Sequence, residues 1–488
     1  YLGYSTEALH TSGSNRVANT RLRIPVEWWL QFVRIPSEIH DFFRFEEGQT
    51  LLIKGMPGTG KTTLALEIMS SVCERENGMY ISTRVSPGRV HAMFPWIGDI
   101  IPSANVVNAT QKMLLESLRN VGREGSSYET VLDFFKTFLD QAGDMDDPMI
   151  VIDSWDAIIN YTAAILGGAQ HSLEQNICEF ARDMGIHLIF VSESAELLPL
   201  DYIVDGVVTL KNVRMAAPLS GDNRPEGMTT RYSREIRLDK LRGVEIKQKI
   251  YTCTLHDGRF CYFEPALENL SPQIGIVCDL ERIADPREDS ISTGIDDFDR
   301  ITGGLDFGSC NVLEIDHGVG KRYYQVLTAL ASNSVKNGRA VHIVPSIGYQ
   351  LAPRDVFVPS NVMVLEPGGD RDQWYETLFK HWDSLRERTG RPILNILGLD
   401  SMEFAFGYER MLNSTSRMFQ KWKETSDVNV VVVKSGQKSI RMTSHIADTY
   451  FVIKELNGGL CLYGLIPRTE PHYMVRDDRG NIRLVPIV

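Results

Sequence analysis

Short apolar runs alternate with longer amphipathic stretches along most of the chain, and this alternation is its strongest pattern. The apolar runs have the length of buried strands, whereas the stretches between them carry apolar residues at helical spacing. Strands separated by helices of this length indicate an α/β fold with a mostly parallel sheet that is covered on both faces. In the first half the predicted strands are 50–53, 78–82, 149–152 and 187–191, and the predicted helices are 61–75, 128–142 and 172–184.

The flanks of this pattern are less regular. Residues 1–20 are rich in Ser, Thr, Asn and Gly, so we expect a mobile N-terminal tail. Residues 21–35 carry paired tryptophans between two prolines and predict a short amphipathic helix, which either packs on the following domain or docks a partner. A loop expected over 216–231 is followed by a hairpin-like pair of strands, 235–241 and 249–255.

The pattern occurs twice along the chain. The glycine-rich loop that begins at Gly55 has a counterpart at residues 316–322. Further along, a strand predicted over 394–401 ends in Asp-Ser, which makes Asp400 the expected match of Asp153. Because the landmarks recur in the same order at nearly the same offset, the sequence indicates a tandem duplication.

The first glycine-rich loop carries the clearest chemistry. Residues 55–62 read GMPGTGKT, which fits GxxxxGK[ST] in full, follows an apolar strand and opens a helix. In such loops the backbone N–H groups hold phosphate, the lysine reaches the β- and γ-phosphates, and the Thr or Ser hydroxyl ligates Mg²⁺. The sequence therefore predicts that ATP or ADP binds with Mg²⁺ at Gly55, Met56, Pro57, Gly58, Thr59, Gly60, Lys61, Thr62 and Thr63, with Lys61 also catalytic.

A carboxylate at a strand end completes the predicted site. Asp153 follows the apolar residues 149–152, downstream of the phosphate-binding loop. The carboxyl ends of parallel strands meet at one edge of a sheet, so Asp153 is placed to hold Mg²⁺ through water beside Thr62.

Composition narrows the class of protein. A chain of 488 residues suits two or three domains, and 43% hydrophobic with 23% charged residues is ordinary for a globular protein. The apolar runs are too short to span a membrane. A net charge of −12 argues against wrapping nucleic acid over the whole surface. Seven cysteines without a CxxC pair favour a reducing, cytoplasmic location.

Three motifs carry a resemblance to a known superfamily. The segments VIDSWDA (151–157), KLRG (240–243) and STGIDDFDRITGGL (292–305) resemble the RecA superfamily in its KaiC- and RadA-like branch. The residues around the first loop are similar to archaeal gas vesicle protein D-like and KaiC-like ATPases, some of which are linked to gene regulation. The resemblance implies two tandem RecA-like P-loop domains with mostly parallel central sheets, at 21–270 and 271–488, the second degenerate.

The resemblance also implies residues that act between subunits. In KaiC-like enzymes the Lys and Arg of KLRG reach the γ-phosphate of a neighbour's ATP. By position, Lys240 and Arg242 take this role, and a homo-oligomer, either a dimer or a ring, is expected. From the residues alone, the alternative is a solvated strand end with two basic side chains.

The usual catalytic base is absent from the sequence. KaiC-like proteins carry two glutamates just after the strand that follows the phosphate-loop helix, but this chain has Arg84 and Val85 there. A positioned general base contributes roughly 10²–10⁴ in rate, so slow hydrolysis is expected. Asp156 and Glu193 are weak candidates for the base, since each is equally well explained as a polar residue at a strand end.

The second copy has lost more of the site. Its loop lacks the first glycine, which Ile315 replaces, and Arg322 stands where a hydroxyl should ligate Mg²⁺. The segment 454–458 is the expected counterpart of KLRG and has no arginine. We therefore expect nucleotide at the first site only.

Three functions remain open at this point. The first is a slowly hydrolysing regulatory protein whose nucleotide state controls assembly or binding to a macromolecular partner, either a protein or a ribonucleoprotein. The second is a scaffold that uses ATP as a structural ligand and docks as an oligomer on a transcription or translation complex. The third is a recombinase-like, DNA-dependent ATPase, which the missing glutamates disfavour along with direct DNA binding.

Overall fold

The computed structural model describes residues 34–45, 47–109, 127–143, 145–166, 170–215, 230–265, 281–347 and 361–488. The expected tail over 1–20 lies outside the described residues, as do nearly all of the helix expected over 21–35 and of the loop expected over 216–231. The described residues form two lobes, 34–265 and 281–488, each built around a nine-stranded sheet.

The sheet of the first lobe is parallel in its centre and antiparallel at one edge. Its strands are β1 (Thr50–Gly55), β2 (Gly78–Ser82), β3 (Val106–Asn108), β4 (Met149–Asp153), β5 (His187–Ser192), β6 (Gly206–Met215), β7 (Arg231–Leu241), β8 (Ile250–Thr254) and β9 (Cys261–Tyr262). The order across the sheet is β3-β2-β4-β5-β1-β6-β7-β8-β9. The first six strands in that order are parallel, and the last three are antiparallel to their neighbours.

Helices cover both faces of this sheet. They are α1 (Ser37–Phe42), α2 (Lys61–Val72), α3 (Pro87–Met93), α4 (Ile97–Ile100), α5 (Ser127–Gly143), α6 (Trp155–Leu166), α7 (Gln170–Asp183) and α8 (Leu200–Ile203). Side chains alternate along each strand, so in β1 Leu51 and Ile53 belong to one apolar core while Leu52 belongs to the other. A central strand buried on both faces needs an apolar run without polar alternation, which is the pattern that the sequence shows.

The second lobe repeats this architecture. Its strands are β10 (Ser290–Ile291), β11 (Leu305–Asp306), β12 (Cys310–Ile315), β13 (Val341–Val344), β14 (Val362–Val364), β15 (Leu394–Gly398), β16 (Val428–Lys434), β17 (Thr449–Leu456), β18 (Gly459–Ile466), β19 (His472–Arg476) and β20 (Ile482–Pro486). Its helices are α9 (Asp296–Thr302), α10 (Tyr324–Lys336), α11 (Arg371–Thr389), α12 (Leu399–Phe406), α13 (Tyr408–Glu424) and α14 (Ser439–Ile446). The strands β10 and β11 form a small sheet of their own.

The two large sheets have the same topology. The second runs β14-β13-β15-β16-β12-β17-β18-β19-β20, which matches the first strand for strand. Even an irregularity is shared, because the β6–β7 pairing shifts register after Val207 and the β17–β18 pairing shifts after Tyr450, which occupies the same place in the second sheet. The predicted α/β fold of two tandem RecA-like domains is therefore confirmed.

The lobes contact each other through the antiparallel edges of their sheets. The Arg231 guanidinium donates to the carbonyl oxygen of Thr469 at 3.0 Å, and Thr254 Oγ1 donates to the carbonyl oxygen of Pro486 at 2.7 Å. The Phe263 ring stacks on the Tyr473 ring with centroids 4.2 Å apart. Arg234 of β7 also donates to the carbonyl oxygen of Gly58, so this edge lies beside the glycine-rich loop that follows β1.

Among the described residues, none of the helices is both long enough and apolar enough to cross a membrane.

Candidate functional site

The phosphate-binding loop joins β1 to α2. Its Gly55, Gly58 and Gly60 all have positive φ, at 152°, 77° and 99°. A Cβ on Gly55 would collide with the Leu210 carbonyl oxygen, and one on Gly60 would lie 2.7 Å from the Leu255 side chain. The glycines are therefore needed both for the backbone turn and for the close packing behind it. Beside Gly58, by contrast, the space is open.

Lys61 begins α2 and points back into the loop. Its Nζ donates to the carbonyl oxygens of Gly55 at 2.8 Å and Met56 at 3.0 Å, and the residue is only 6% exposed. Burial lowers the pKa of Lys61, while the negative charges of Glu193 and Asp153 oppose that shift. The ammonium donates to neutral carbonyl oxygens, which accept more weakly than charged phosphate oxygens do. It is therefore well placed to exchange those carbonyls for the oxygens of a phosphate.

The predicted metal ligands are in direct contact. Thr62 Oγ1 donates to Asp153 Oδ2 at 2.6 Å, and the Tyr80 hydroxyl donates to the same oxygen at 2.8 Å. Burial raises the pKa of Asp153, and the hydrogen bonds from Thr62 and Tyr80 oppose that shift. A hydroxyl beside a buried carboxylate forms an oxygen-only donor set of the kind that Mg²⁺ prefers, so these residues fit the ion.

The other loop residues frame the site. Thr59 is buried, and its hydroxyl donates to the Met56 carbonyl oxygen at 2.8 Å, which fixes the turn. Thr63 is buried inside α2, whereas the Met56 side chain is 61% exposed. Pro57 lies at the outer turn of the loop, next to Gly58. The phosphate contacts predicted here come mainly from backbone N–H groups, which the turn directs toward one point.

The two candidate bases have different surroundings. Asp156 accepts hydrogen bonds on both carboxylate oxygens, from Ser192 Oγ at 2.9 Å and from the backbone N–H of Glu193 at 2.6 Å. It therefore holds the end of β5 in place. Glu193 instead forms an ion pair with Arg84, with Oε1 and Nη1 2.5 Å apart. Arg84 thus lies at the site edge where KaiC-like enzymes carry glutamate.

The predicted trans-acting residues, Lys240 and Arg242, lie at the end of the sheet opposite the phosphate-binding loop. Residue Leu241 pairs with Gly206 and through it with Leu51 at the start of β1, whereas the loop follows the end of β1. The Lys240 ammonium donates to the carbonyl oxygen of Asp201 at 3.1 Å. Arg242 forms an ion pair with Asp205 at 2.8 Å. Neither side chain is therefore brought to the phosphate-binding loop of its own chain.

Residues 316–323 of the second lobe do not form a comparable loop. Helix α10 begins at Tyr324, three residues beyond Lys321, whereas α2 begins at Lys61 itself. The Arg322 guanidinium donates to the carbonyl oxygens of Gly458 at 2.7 Å and Gly318 at 3.4 Å. It thus satisfies carbonyls of its own lobe at the position where Thr62 meets Asp153.

The expected match between Asp400 and Asp153 is wrong. In the first sheet Ile53, Val191 and Asp153 are level with one another across the strands. In the second sheet the corresponding residues are Leu313, Val432 and Gly398. The strand β15 ends at Gly398, so Asp400 lies within α12 and accepts from Ser346 Oγ. A glycine thus takes the place of the predicted metal-binding acid in the second lobe.

The expected counterpart of KLRG is also wrong. Segment 454–458 lies at the end of β17, beside the degenerate loop. By strand register, Lys240 pairs with Val207 as Ile466 pairs with Tyr450, so Ile466 replaces Lys240. Two residues further on, Arg468 matches Arg242. The composition of a strand end does not show at which end of the sheet it lies. Sequence spacing therefore pointed to the wrong segment.

A comparison with protein families matches the region that contains this loop. The model described as "GvpD gas vesicle protein, P-loop domain" matches residues 39–231, which include the loop, Asp153 and Glu193. This chain is a gas vesicle protein D-like P-loop protein. The match lies within the first lobe, where the described residues form the complete phosphate-binding loop.

Two curated proteins of Halobacterium salinarum are similar to this GvpD-like chain. Protein GvpD2 is 27% identical over 92% of this chain and 94% of its own length. Protein GvpD1 is 30% identical over 67% of this chain and 59% of its own length. Since the alignment with GvpD2 covers nearly the whole chain, it extends into the degenerate lobe as well.

Two further residues of this site are not indicated by any sequence motif. Tyr80 lies in the middle of β2, and no sequence signal indicates that its hydroxyl reaches Asp153. Arg234 donates to the carbonyl oxygen of Gly58 at 2.9 Å from β7. Residues 231–242 contain several arginines, and only the antiparallel register brings Arg234 to the loop.

Proposed function

We propose that this protein is a regulatory ATP-binding protein that acts with a macromolecular partner in the gas vesicle system. MgATP binds to the first lobe and is hydrolysed slowly, and the nucleotide state controls assembly or partner binding. The proposal places the protein in the cytoplasm, where ATP is available. The partner is a protein or a ribonucleoprotein, since the net charge of −12 disfavours extended contact with DNA.

One arginine carries this proposal. Arg234 Nη1 donates to the Gly58 carbonyl oxygen in the phosphate-binding loop, and Arg234 Nε donates to the Val488 carbonyl oxygen at 2.5 Å. The same side chain therefore touches the nucleotide site of the first lobe and the last strand region of the second. A planar guanidinium with several fixed donors suits such a double contact.

Further contacts support a link between the lobes at this point. The backbone N–H of Leu255 donates to the Val488 carbonyl oxygen at 3.2 Å, and the Leu255 side chain packs against Gly60. A shift of the loop on nucleotide binding would therefore be transmitted to residues 486–488 through Arg234 and Leu255. Tightly packed contacts transmit small displacements because the interior has few voids.

A specific observation favours the second candidate, a scaffold that uses ATP as a structural ligand. Arg84 lies where a catalytic glutamate is expected, and its ion pair with Glu193 occupies the remaining carboxylate at that edge. In this candidate, bound ATP persists and stabilises one arrangement of the lobes. The two candidates differ in whether the partner depends on the nucleotide state.

We also propose that Lys240 and Arg242 act on the nucleotide of a second copy. Both lie at the sheet edge opposite the loop of their own chain, so they could serve only a neighbouring site. A homo-oligomer, either a dimer or a ring, would then complete the site. The ion pair between Arg242 and Asp205 would have to open in the assembly.

Capture from a native extract tests the regulatory proposal. Wild type, Lys61→Ala and Lys321→Ala are compared with ATP, with ADP and without nucleotide. The wild type and Lys321→Ala should retain a partner in only one nucleotide state, whereas Lys61→Ala should lose that dependence. Equal recovery by all three proteins in every condition would contradict regulation and favour the scaffold.

Hydrogen exchange tests the coupling through Arg234. In the wild type, MgATP should change the protection of residues 482–488, and Arg234→Ala should remove that change while still binding nucleotide. Arg214→Ala is the matched control, because Arg214 is an exposed arginine on the neighbouring strand β6. If Arg234→Ala responds as the wild type does, the coupling does not run through this residue.

A further inference from the structure

We propose that Arg84 is the residue that distinguishes a nucleoside triphosphate from a diphosphate, and that Glu193 is its partner when no γ-phosphate is bound. This inference rests on the proposed nucleotide site and adds a specificity residue to it. The observations that carry it are the placement of Arg84, the fixed backbone around it, and the fate of the same positions in the second lobe.

The backbone next to Arg84 is hydrogen-bonded to Asp153, the predicted metal-binding acid, and to its neighbour Ser154. The N–H of Thr83 donates to the Asp153 carbonyl oxygen at 2.8 Å, and the N–H of Ser154 donates to Thr83 Oγ1 at 2.8 Å. On the other side, the N–H of Val85 donates to Ser82 Oγ at 3.2 Å. The Arg84 side chain therefore extends from a turn that is fixed beside Asp153.

The guanidinium extends over the edge of the sheet at which phosphate is expected. From the end of β2 it passes the end of β4 and reaches Glu193 at the end of β5. Its charge lies close enough to Lys61 and to Asp153 to lower the pKa of each. Arg84 thus lies near both the lysine of the loop and the predicted metal-binding acid.

The ion pair with Glu193 is not a buried structural contact. The side chains of Arg84 and Glu193 are 46% and 36% exposed, and exposed ion pairs stabilise folds only weakly. The position of Glu193 is fixed independently, because Asp156 accepts from its backbone N–H. The pair can therefore separate without disturbing either strand end.

The second lobe provides an internal comparison. Arg84 and Glu193 each lie two residues beyond the residue level with Asp153, and the corresponding positions beside Gly398 are Ile347 and Lys434. Lys434 there donates to the Ile347 carbonyl oxygen at 2.9 Å. The arginine and its acidic partner are thus present in the lobe with a phosphate-binding loop and absent from the lobe without one.

These observations define two states of one side chain. Without a γ-phosphate, Arg84 pairs with Glu193. A γ-phosphate carries more negative charge than one carboxylate and offers several oxygens to a planar guanidinium, so Arg84 exchanges Glu193 for it. A diphosphate leaves the original pair intact, which makes the exchange specific for the triphosphate.

Binding affinity gives the test, with ADP and adenosine 5′-(β,γ-imido)triphosphate as probes in the presence of Mg²⁺. Arg84→Ala should weaken the triphosphate analogue about tenfold to a hundredfold, as expected for one charge-assisted hydrogen-bonded contact, and leave ADP within about twofold. Arg84→Lys should lose part of that preference. Glu193→Gln should tighten the triphosphate analogue, because the competing carboxylate is gone.

Two further variants separate the outcomes. Arg44→Ala is the matched control, since Arg44 forms an exposed ion pair with Asp41 away from the site and should leave both affinities unchanged. Lys61→Ala should abolish binding of both probes, and its failure to do so would overturn the proposed nucleotide site itself. With Lys61→Ala behaving as expected, an Arg84→Ala variant that weakens both probes equally, or neither, would overturn the role of Arg84.

Discussion

Gly398 occupies in the second sheet the place that Asp153 occupies in the first. Each is level with a valine on the neighbouring strand, Val432 in one case and Val191 in the other. The difference involves more than one side chain, because a Cβ on Gly398 would lie 2.6 Å from the Ser346 nitrogen. The backbone of Pro345 and Ser346 therefore occupies the space that an aspartate side chain would need at this position.

This relationship predicts that Gly398→Asp does not restore a second metal site. The added side chain should instead destabilise the protein by about 1–3 kcal/mol, as overpacking of a tight interior does. Denaturant unfolding measures the loss, and Gly368→Asp serves as the comparison, because space is open beside Gly368 and its backbone φ is not positive. A stable Gly398→Asp variant that binds a second nucleotide would contradict this reading of the fold.

Calorimetry should find one nucleotide per chain. Lys61→Ala should abolish binding, because the phosphates lose the cation that the loop holds over the carbonyls of Gly55 and Met56. Lys321→Ala should bind as the wild type does, since Lys321 precedes the start of α10 and Arg322 is bound to carbonyls of its own lobe. Equal losses in the two variants would contradict a single site.

Hydrolysis should be slow. Turnover by the purified protein should fall well below the roughly 1–10³ s⁻¹ that is common for enzymes, because Arg84 replaces the usual base. Glu193→Gln should lower the residual rate further, whereas Asp156→Asn should mainly destabilise the end of β5, where both carboxylate oxygens accept hydrogen bonds. Unstimulated turnover of tens per second would show that a competent base is present.

Assembly should depend on Arg242 if it acts between subunits. Reciprocity requires that ATP tighten the oligomer as much as the oligomer tightens ATP. Arg242→Ala should weaken both and cost no more than about 1 kcal/mol of stability, because Asp205 keeps its ion pair with Arg182 and its hydrogen bond from Thr50. Light scattering with and without a non-hydrolysable analogue checks this, and a wild type that stays monomeric with the analogue bound would refute the assignment.

Acid should destabilise the second lobe through His342. Both of its ring nitrogens are buried without a hydrogen-bond partner among the described residues, and burial, with a smaller contribution from His381, lowers its pKa to about 3. The unfolded chain takes up this proton more readily than the folded protein does. The contribution of His342 to the free energy of unfolding is therefore fully present above about pH 6.5 and is lost as the pH falls toward 3. From pH 7 to pH 5 this loss amounts to about 2 kcal/mol.

The variant His342→Leu isolates that contribution. Its unfolding free energy should fall less than that of the wild type between pH 7 and pH 5, measured in denaturant at both values. Other groups titrate in the same range, including His472, whose pKa is lowered to about 4 by burial. The stability of the variant is therefore expected to change with pH as well, and the test is the difference between the two proteins. Identical slopes for the two proteins would show that His342 does not titrate differently on unfolding.

Much of the nucleotide site follows from the sequence because its residues are close in the chain or at the end of a buried strand. Residues 55–62 form one continuous loop whose glycines and lysine define its chemistry, and the apolar run before Asp153 places that acid at the carboxyl edge of the sheet. The parallel arrangement of the central strands also follows from the sequence. Short apolar strands that are separated by helices are typical of crossover connections, which join parallel strands.

Strand register, by contrast, was decided only by the tertiary structure. Register placed Gly398, and not Asp400, opposite Asp153, and it brought Arg234 from a distant strand to Gly58. Sequence spacing could not show this, because one residue of slip changes which side chains are level without changing the composition of either strand. The sequence by itself determined the chemistry of the phosphate-binding loop, and the pairing of distant strands decided which side chains from elsewhere in the chain reach it.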